Sequence, residues 1–134
     1  TLVQLQGETW LRTGDLGYMD EDGYFFITDR IKRMINAAGY KVWPAEVEAT
    51  LFKNEVIQEV CIISSPEERR GETVKAVIVL KEDAGSVSQE DIIAWAREHL
   101  SAYKVPRTVE FVQALPRTAT GKVNWRTLQE AEYK

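Results

Sequence analysis

The sequence predicts a small α+β domain, in which a mixed sheet of about three strands is packed by helices. Three apolar runs, each long enough for a buried strand, support this prediction: residues 60–64, 74–81 and 108–113. Segments with helix signals lie between and around these runs. The alternation of the two patterns favours helices packed against one sheet.

The first 31 residues are strand-like and rich in turns. LGYM (16–19) and YFFI (24–27) flank DEDG (20–23), and this pattern predicts a small β-hairpin. DEDG also resembles the start of a calcium-binding loop, but the remaining ligands of such a loop are missing. A hairpin turn between two strand-like runs is therefore favoured.

The next element is a predicted helix that begins at Pro44. Proline suits the first turn of a helix, and Glu46 and Glu48 favour the positive end of the helix dipole. Val47 and Leu51 then fall on one face, which we expect to be buried. The residues before Pro44, including Ile35 and Tyr40, are expected to be extended or looped.

The remaining elements follow from local signals. The charged segment 66–72 is expected to be a solvated loop between the first two core strands. Ser88 and Asp91 have the spacing of a capping box, which opens a helix. The inner stripe of that helix consists of Ile92, Ile93, Ala96 and Leu100. Trp125 and Leu128 indicate a final short helix.

Composition excludes several classes of protein. The chain has 134 residues, of which 44% are hydrophobic and 28% charged, as is typical of a globular domain with a real core. The net charge of −4 argues against a general nucleic-acid binder, which would carry a basic face. No apolar run approaches the roughly 20 residues of a membrane-spanning helix.

Cysteine and histidine usage narrows the chemistry further. Cys61 is the only cysteine and lies within an apolar run, so a buried inert thiol and a reducing, cytoplasmic compartment are expected. His99 is the only histidine, so no metal site is predicted. The N-terminus lacks the pattern of a signal peptide. Because the chain does not begin with Met, we expect a processed chain or an excised piece.

The most informative motif is LPRTATGK, residues 115–122. Pro116 fixes its own backbone, and Gly121 permits conformations that other residues avoid, so the loop can bring backbone and Lys122 close to a ligand. A lysine in such a loop suits a phosphate or a carboxylate. The alternative interpretation is a surface loop with a solvated lysine.

Two further motifs carry polar side chains. In RTGDLG (12–17), Asp15 follows a glycine in a tight turn, where its carboxylate can accept hydrogen bonds from two ribose hydroxyls. An Asx-type turn is the alternative. In TDRIKRMI (28–35), Arg30 offers several donors to a sugar or phosphate, and Lys32 lies where the hairpin region ends. The alternatives there are a basic stripe for RNA and a solvated linker.

The fourth motif is NAAGYKVWPAEVE, residues 36–48. Gly39 has no side chain and can line a narrow passage, and the extended residues after it would present backbone groups. A turn or C-cap glycine before an ordinary strand and helix is the alternative.

These four motifs, in this order and spacing, resemble the C-terminal part of the adenylate-forming acyl-CoA synthetase superfamily. SAYKVPRTVEFV (101–112) is also similar to the family's approach to its last motif, and the resemblance covers essentially the whole chain. It implies that residues 1–31 are the end of the N-terminal adenylation domain with a hairpin next to the hinge. Residues 32–134 are then the C-terminal lid domain.

The resemblance also implies a role for each motif residue. Asp15 corresponds to the aspartate that holds the adenosine ribose, and Arg30 to the arginine near the same nucleotide. Lys32 occupies the hinge position. Gly39, with Tyr40 and Lys41 beside it, lies on the loop that approaches the pantetheine arm of coenzyme A. Lys122 corresponds to the catalytic lysine of the first half-reaction.

In this family a carboxylic acid attacks ATP to give acyl-AMP, and coenzyme A then displaces AMP; for this chain the resemblance implies a fatty acid as the substrate. The implied cofactors are ATP, Mg²⁺ and coenzyme A, none of which the fragment is expected to hold tightly by itself. The triphosphate-binding loop and acyl pocket belong to a large N-terminal domain, which is therefore the expected partner, and the fragment alone is expected to be inactive.

Two other functions are compatible with the sequence. The first is an adenylation domain that hands its product to the thiol of a carrier protein. The second is a non-catalytic interaction module of the same fold, which would be expected to lose Asp15 or Lys122, although both are present.

Overall fold

The computed structural model describes residues 1–134, which form two compact units, Thr1–Arg33 and Met34–Lys134. The predicted boundary between residues 31 and 32 concerns the domains of a longer protein and stays a prediction.

The first unit consists of two antiparallel hairpins followed by a 3₁₀ turn at Ile31–Arg33. In the second hairpin, Asp20 accepts hydrogen bonds from the backbone N–H groups of Asp22 and Tyr24, each at 2.9 Å. The predicted hairpin around DEDG is thereby confirmed. The four strands are β1 (Leu2–Leu5), β2 (Glu8–Leu11), β3 (Asp15–Met19) and β4 (Phe25–Arg30).

The second unit contains five strands in one sheet and three helices. Its elements are β5 (Ile35–Ala37), β6 (Tyr40–Val42), α1 (Pro44–Leu51), β7 (Ile57–Glu67), β8 (Gly71–Leu80), α2 (Gln89–His99), β9 (Thr108–Phe111) and α3 (Trp125–Glu132). The strand order is β6-β5-β8-β7, and β9 also pairs with β8. Because β9 runs parallel to β8 while the other pairs are antiparallel, the predicted α+β fold with a mixed sheet is confirmed.

Two details of the prediction were wrong. The sheet has five strands rather than three, because the residues before α1, which were expected to be extended or looped, pair as the short hairpin β5–β6 and join the sheet. The segment 66–72 was predicted to be a solvated loop, yet β7 extends to Glu67 and β8 begins at Gly71. Backbone pairing between the two strands outweighs the high charge of this segment, since the side chains there can still reach water.

The sheet is covered on both faces, as the continuous apolar runs predicted. Alternate residues of β7 and β8 point to opposite sides. One side packs against α1 and α2 through a cluster that includes Val47, Leu51, Ile62, Ala76, Ile92 and Ala96. The other side packs against α3 and the segment before it through Cys61, Ile63, Val77, Val79 and Leu115, with Val123, Trp125 and Leu128 beside them. Three layers result.

The outer edge of β7 is occupied by side chains from two helices. The Ile62 N–H donates to the Glu48 carboxylate of α1 at 2.8 Å. The Ser64 N–H donates to Oε1 of Gln129 in α3 at 2.9 Å, and Nε2 of Gln129 donates to the Ser64 carbonyl at 2.8 Å. These bonds satisfy edge groups that would otherwise invite pairing with another strand. They also fix α1 and α3 along the sheet.

The helix predictions are confirmed. Pro44 stands at the start of α1, and Val47 and Leu51 are fully buried. Ser88 and Asp91 form the capping box of α2 through reciprocal hydrogen bonds of 2.9 and 3.1 Å. None of the three helices has the length and apolar character that crossing a membrane requires.

Candidate functional site

Asp15 and Arg30 face each other across the β3–β4 hairpin. The strand register pairs the two residues directly, and Nε of Arg30 lies 3.3 Å from Oδ1 of Asp15. The Thr13 hydroxyl accepts a hydrogen bond from the Asp15 N–H at 3.2 Å, which fixes the turn before the strand. Asp15 is half-buried and Arg30 exposed, so a carboxylate and a guanidinium are presented together at one end of the hairpin.

Lys32 lies in the 3₁₀ turn that closes the first unit. The N–H of Ile31, at the start of this turn, donates to the Gly14 carbonyl at 2.9 Å and so ties it to the segment that carries Asp15. Lys32 and Asp15 line one shallow concave surface of the unit together with Arg12. The structure therefore brings Asp15, Arg30 and Lys32 into one neighbourhood.

Gly39 lies in the two-residue turn between β5 and β6. Ala38 and Gly39 both have positive φ, at 54° and 89°, and the Gly39 N–H donates to Oδ1 of Asn36 at 2.9 Å. Two residues with positive φ are typical of the type I′ turn that suits the twist of a hairpin. A Cβ placed on Gly39 would meet no atom within 4 Å, so the space in front of this turn is open.

Tyr40 and Lys41 follow the turn and are exposed. The ring of Tyr40 stacks on that of Tyr103, with centroids 4.9 Å apart, and Nζ of Lys104 lies 5.5 Å from the centroid of the Tyr103 ring. Lys104 is held by Glu46 of α1 at 2.6 Å, and this hydrogen bond raises its pKa despite the opposing effect of burial. The Gly39 turn is thus supported by a second segment that the sequence interpretation did not assign to it.

Lys122 ends an ordered loop rather than a loose one. The Thr118 N–H donates to the Lys122 carbonyl at 2.7 Å, and the Thr118 hydroxyl accepts from the Lys122 N–H at 3.3 Å. Gly121, with φ of 85°, makes the turn between them, and Arg117 pairs with Val123 across its base. Lys122 itself is exposed. The backbone of this lysine is therefore fixed while its side chain faces solvent.

Sequence reasoning missed the anchor of this loop. The Arg117 guanidinium forms an ion pair with Glu59 of β7 and donates to the Gly121 carbonyl at 3.2 Å. Arg117 lies inside the LPRTATGK motif, which was the available signal. No local signal marked Glu59, because it lies 58 positions before Arg117 in the sequence.

The Gly39 turn and the Lys122 loop occupy opposite ends of the β7–β8 hairpin. Ala37, at the start of the turn, pairs with Gly71. The Lys122 loop is anchored at Glu59, which pairs with Val79. At about 3.3 Å per residue, the strand between Gly71 and Val79 spans about 26 Å. These two groups of predicted site residues are thus not brought together.

No group of three or more His, Cys, Asp or Glu side chains in residues 1–134 is placed to hold a metal ion. The polar side chains around Asp15 are a carboxylate and cations, a set that suits a polyhydroxylated or phosphorylated ligand better than a cation.

Comparison with known proteins gives a consistent result. The sequence pattern described as the AMP-binding enzyme C-terminal domain matches residues 46–122. A long-chain-fatty-acid–CoA ligase of Bacillus subtilis is 50% identical over 123 residues, which are 92% of this chain and 22% of the ligase. The mitochondrial acyl-coenzyme A synthetase ACSM3 of Homo sapiens is 42% identical over 138 residues, covering 100% of this chain and 23% of the synthetase.

The fold is shared with solved structures as well. The crystal structure of ATP-bound MatB from Rhodopseudomonas palustris superposes with a TM-score of 0.86 and 31% identity, over 95% of this chain and 25% of MatB. The chain thus spans about a quarter of the length of the relatives it matches.

Proposed function

The chain belongs to the AMP-binding enzyme C-terminal domain family, and from this premise we propose that it is the mobile C-terminal part of an ATP-dependent acyl-CoA ligase. The intact protein activates a carboxylic acid, in our proposal a fatty acid, as acyl-AMP and transfers the acyl group to coenzyme A. The observation that carries the proposal is the position of the Lys122 loop and the Gly39 turn at opposite ends of the β7–β8 hairpin.

The first unit exposes many large apolar side chains, which supports the proposal that a further domain of the intact protein covers them. Each of its two-stranded hairpins would be marginally stable at best in isolation. A patch of this kind marks a surface that another domain covers, and we assign that role to the remaining three quarters of the intact protein. The large apolar side chains concerned, each at least 43% exposed, are Leu2, Leu5, Trp10, Leu11, Tyr18, Met19, Tyr24, Phe25, Phe26, Ile27 and Ile31.

In the first half-reaction, the substrate carboxylate attacks the α-phosphate of ATP and pyrophosphate leaves. Two anions must approach each other, so a cation between them lowers the barrier. Lys122 supplies that charge in our proposal. Asp15 accepts hydrogen bonds from the ribose hydroxyls, and Arg30 contacts the same nucleotide. Mg²⁺ would be held by the phosphate oxygens of ATP and would supply further positive charge there; we assign no residue of this chain to it.

In the second half-reaction, the coenzyme A thiolate attacks the acyl carbonyl and AMP leaves. Gly39 lines the approach of the pantetheine arm, with Tyr40 and Lys41 beside it. Because about 26 Å of β-strand separates this turn from the Lys122 loop, one orientation of the unit cannot present both at the same reaction centre. We therefore propose a rotation about Lys32 that exchanges them between the two steps.

A carrier-protein thiol is the alternative acceptor, because the same two-step geometry serves it. Replacing coenzyme A with a phosphopantetheinylated carrier in the second-step assay separates the two. The non-catalytic module is disfavoured by the presence of both Asp15 and Lys122. The fatty-acid substrate class and the cytoplasmic location stay predictions, and a pyrophosphate-release screen over acids of varied length tests the first.

The decisive experiment is Lys122→Ala in the intact protein. Pyrophosphate release is expected to fall by about 100-fold or more, as when a charge-stabilising donor is lost, while thioester formation from supplied acyl-adenylate and coenzyme A persists. The matched control is Lys134→Ala, which removes another exposed lysine. Equal losses in both steps would contradict the assignment. Acyl-CoA synthesis by residues 1–134 alone would contradict the proposed dependence on the missing domain.

A further inference from the structure

The guanidinium of Arg117 joins two parts of the chain at once. Its Nη2 forms the ion pair with Glu59 of β7, and its Nη1 donates to the Gly121 carbonyl at 3.2 Å. Gly121 is the residue immediately before Lys122. The planar fork of arginine allows two partners to be held in a fixed relative geometry. A core strand is thereby connected to the peptide group that precedes the lysine.

This contact completes the fixation of the loop backbone. The Arg117–Val123 bridge closes the base of the loop, and Thr118 binds both backbone groups of Lys122. None of these bonds reaches β7, so the loop could tilt as a unit about its base. The Glu59–Arg117 pair opposes that tilt because it connects the loop to β7 of the sheet.

We propose that Glu59 and Arg117 are positioning residues for the adenylation step, which they serve by setting where the backbone presents the Lys122 ammonium. The inference rests on the proposed function of Lys122. It adds two residues to that function, neither of which contacts substrate in our proposal. Because a displacement of about 1 Å can cost up to about 100-fold in rate, an anchor at this point has a direct effect on the reaction.

The pair contributes little to holding the fold together. Both side chains are partly exposed, and ion pairs that water can reach contribute little to stability. The same region is held independently by Leu115, Val123 and Trp125, which pack against the sheet through apolar contacts. Removing the ion pair is therefore expected to alter the loop without unfolding the unit.

The test compares Arg117→Ala, Arg117→Lys and Glu59→Gln in the intact protein. For Arg117→Ala, kcat of pyrophosphate release is expected to fall about tenfold, with KM for ATP and the rate of thioester formation from supplied acyl-adenylate both within about twofold of the parent. The kcat of Arg117→Lys is expected to lie between those of the parent and Arg117→Ala, because a single ammonium keeps the charge but loses the planar fork of donors. Glu59→Gln is expected to lower the same kcat.

A double variant and a control sharpen the result. If the two residues act as one unit, Glu59→Gln with Arg117→Ala is no slower than Arg117→Ala alone. Glu67→Gln is the control, because it breaks another ion pair of β7, with Arg107 at 3.4 Å, at the opposite end of the strand. We expect its pyrophosphate release to match that of the parent.

Three outcomes would overturn the inference: unchanged pyrophosphate release in Arg117→Ala, equal losses in both half-reactions, or a rate loss that follows a fall in melting temperature across the variants. Lys122→Ala, measured in parallel, distinguishes a failure of the positioning role from a failure of the proposed function. If Lys122→Ala is defective and Arg117→Ala is normal, only the positioning role is wrong. If Lys122→Ala retains adenylation, the proposed function itself is wrong.

Discussion

Lys75 of β8 forms an ion pair with Glu132 of α3, in which Nζ and Oε2 are 2.6 Å apart. Glu110 of β9 also contacts the Lys75 ammonium at 2.9 Å, and the Ser65 hydroxyl donates to Oε1 of Glu132 at 2.7 Å. Both members of the pair are largely buried. The C-terminal helix, which follows directly on the Lys122 loop, is thus tied to three strands of the sheet through polar contacts.

The Lys75–Glu132 ion pair is expected to stabilise the fold only within a certain pH range. Burial alone would raise the pKa of Glu132, but the hydrogen bonds from Lys75 and Ser65 and the charge of Lys75 outweigh it and lower the pKa below 4.5. Burial alone would likewise lower the pKa of Lys75, but Glu132 and Glu110 raise it above 10.5. The Glu132 contribution is therefore full above pH 4.5 and lost as the pH falls through its folded pKa. The Lys75 contribution is lost only above pH 10.5.

Glu132→Gln should consequently lower the free energy of unfolding at pH 7 by about 1–3 kcal/mol, because it leaves Lys75 with a weaker partner. The deficit relative to the parent should shrink as the pH falls below 4.5. Urea unfolding of a piece carrying residues 34–134, followed by tryptophan fluorescence, measures both quantities. Glu130→Gln, an exposed position on the same helix, is the control. A deficit that does not change with pH would contradict this assignment.

The elements that the sequence predicted correctly are those specified by local signals. The capping box of Ser88 and Asp91 and the buried stripe around Ile92 and Ala96 depend only on neighbouring residues. The β5–β6 hairpin gave no such signal, because its strands have three residues each and Ala38 is an unusual residue for positive φ.

The same distinction applies to the site. Asp15 and Arg30 belong to recognisable motifs, and their pairing follows from the register of one hairpin. The Glu59–Arg117 and Lys75–Glu132 pairs each join residues almost 60 apart in sequence. Such pairs depend on where α3 and the Lys122 loop pack on the sheet, and tertiary packing is not encoded in any local pattern.

Asp15→Ala tests the proposed ribose contact in the intact protein. Hydrogen bonds to a charged group contribute about 1.5–3 kcal/mol each, so the loss of even one should raise Kd for ATP by about 10- to 100-fold. Calorimetric titration with ATP in the absence of the acid substrate measures this. Asp22→Ala removes an exposed carboxylate from the β3–β4 turn and should leave Kd unchanged. An unchanged Kd in Asp15→Ala would favour the Asx-turn interpretation.

Lys32→Pro tests the proposed hinge. Proline fixes its own φ and restricts the residue before it, so rotation at this point should be hindered. Thioester formation from supplied acyl-adenylate should then fall more than pyrophosphate release. Lys32→Ala removes the same side chain but leaves the backbone free to rotate, and we expect it to retain both steps. Equal effects of Pro and Ala would show that the lysine side chain, rather than the backbone, matters.

The ATP affinity of Lys32→Pro must be measured alongside, since the preceding Ile31 N–H holds the turn to Gly14. If ATP binding weakens together with both steps, the substitution has disturbed the first unit, and the hinge role is contradicted for this position.

Gly39 allows the last test, because its two possible roles make different demands on a substituent. As a turn residue it needs positive φ, observed at 89°, and alanine there should cost about 1 kcal/mol of turn stability. As a lining of the pantetheine passage it needs empty space, and any side chain should obstruct it. Asparagine separates these demands, because it tolerates the left-handed conformation yet fills the open space in front of the turn.

We expect Gly39→Asn to keep the stability of the 34–134 unit close to that of the parent, yet to slow thioester formation by about tenfold or more, with pyrophosphate release unchanged. Ala38→Gly is the control at the adjacent position, since it removes the strain of a non-glycine residue at positive φ and adds no side chain. Two-step assays of the intact protein, with urea unfolding of the 34–134 piece, give the three quantities. If Gly39→Asn restores both stability and thioester formation, the glycine serves the turn alone, and the proposed approach of coenzyme A to this loop is wrong.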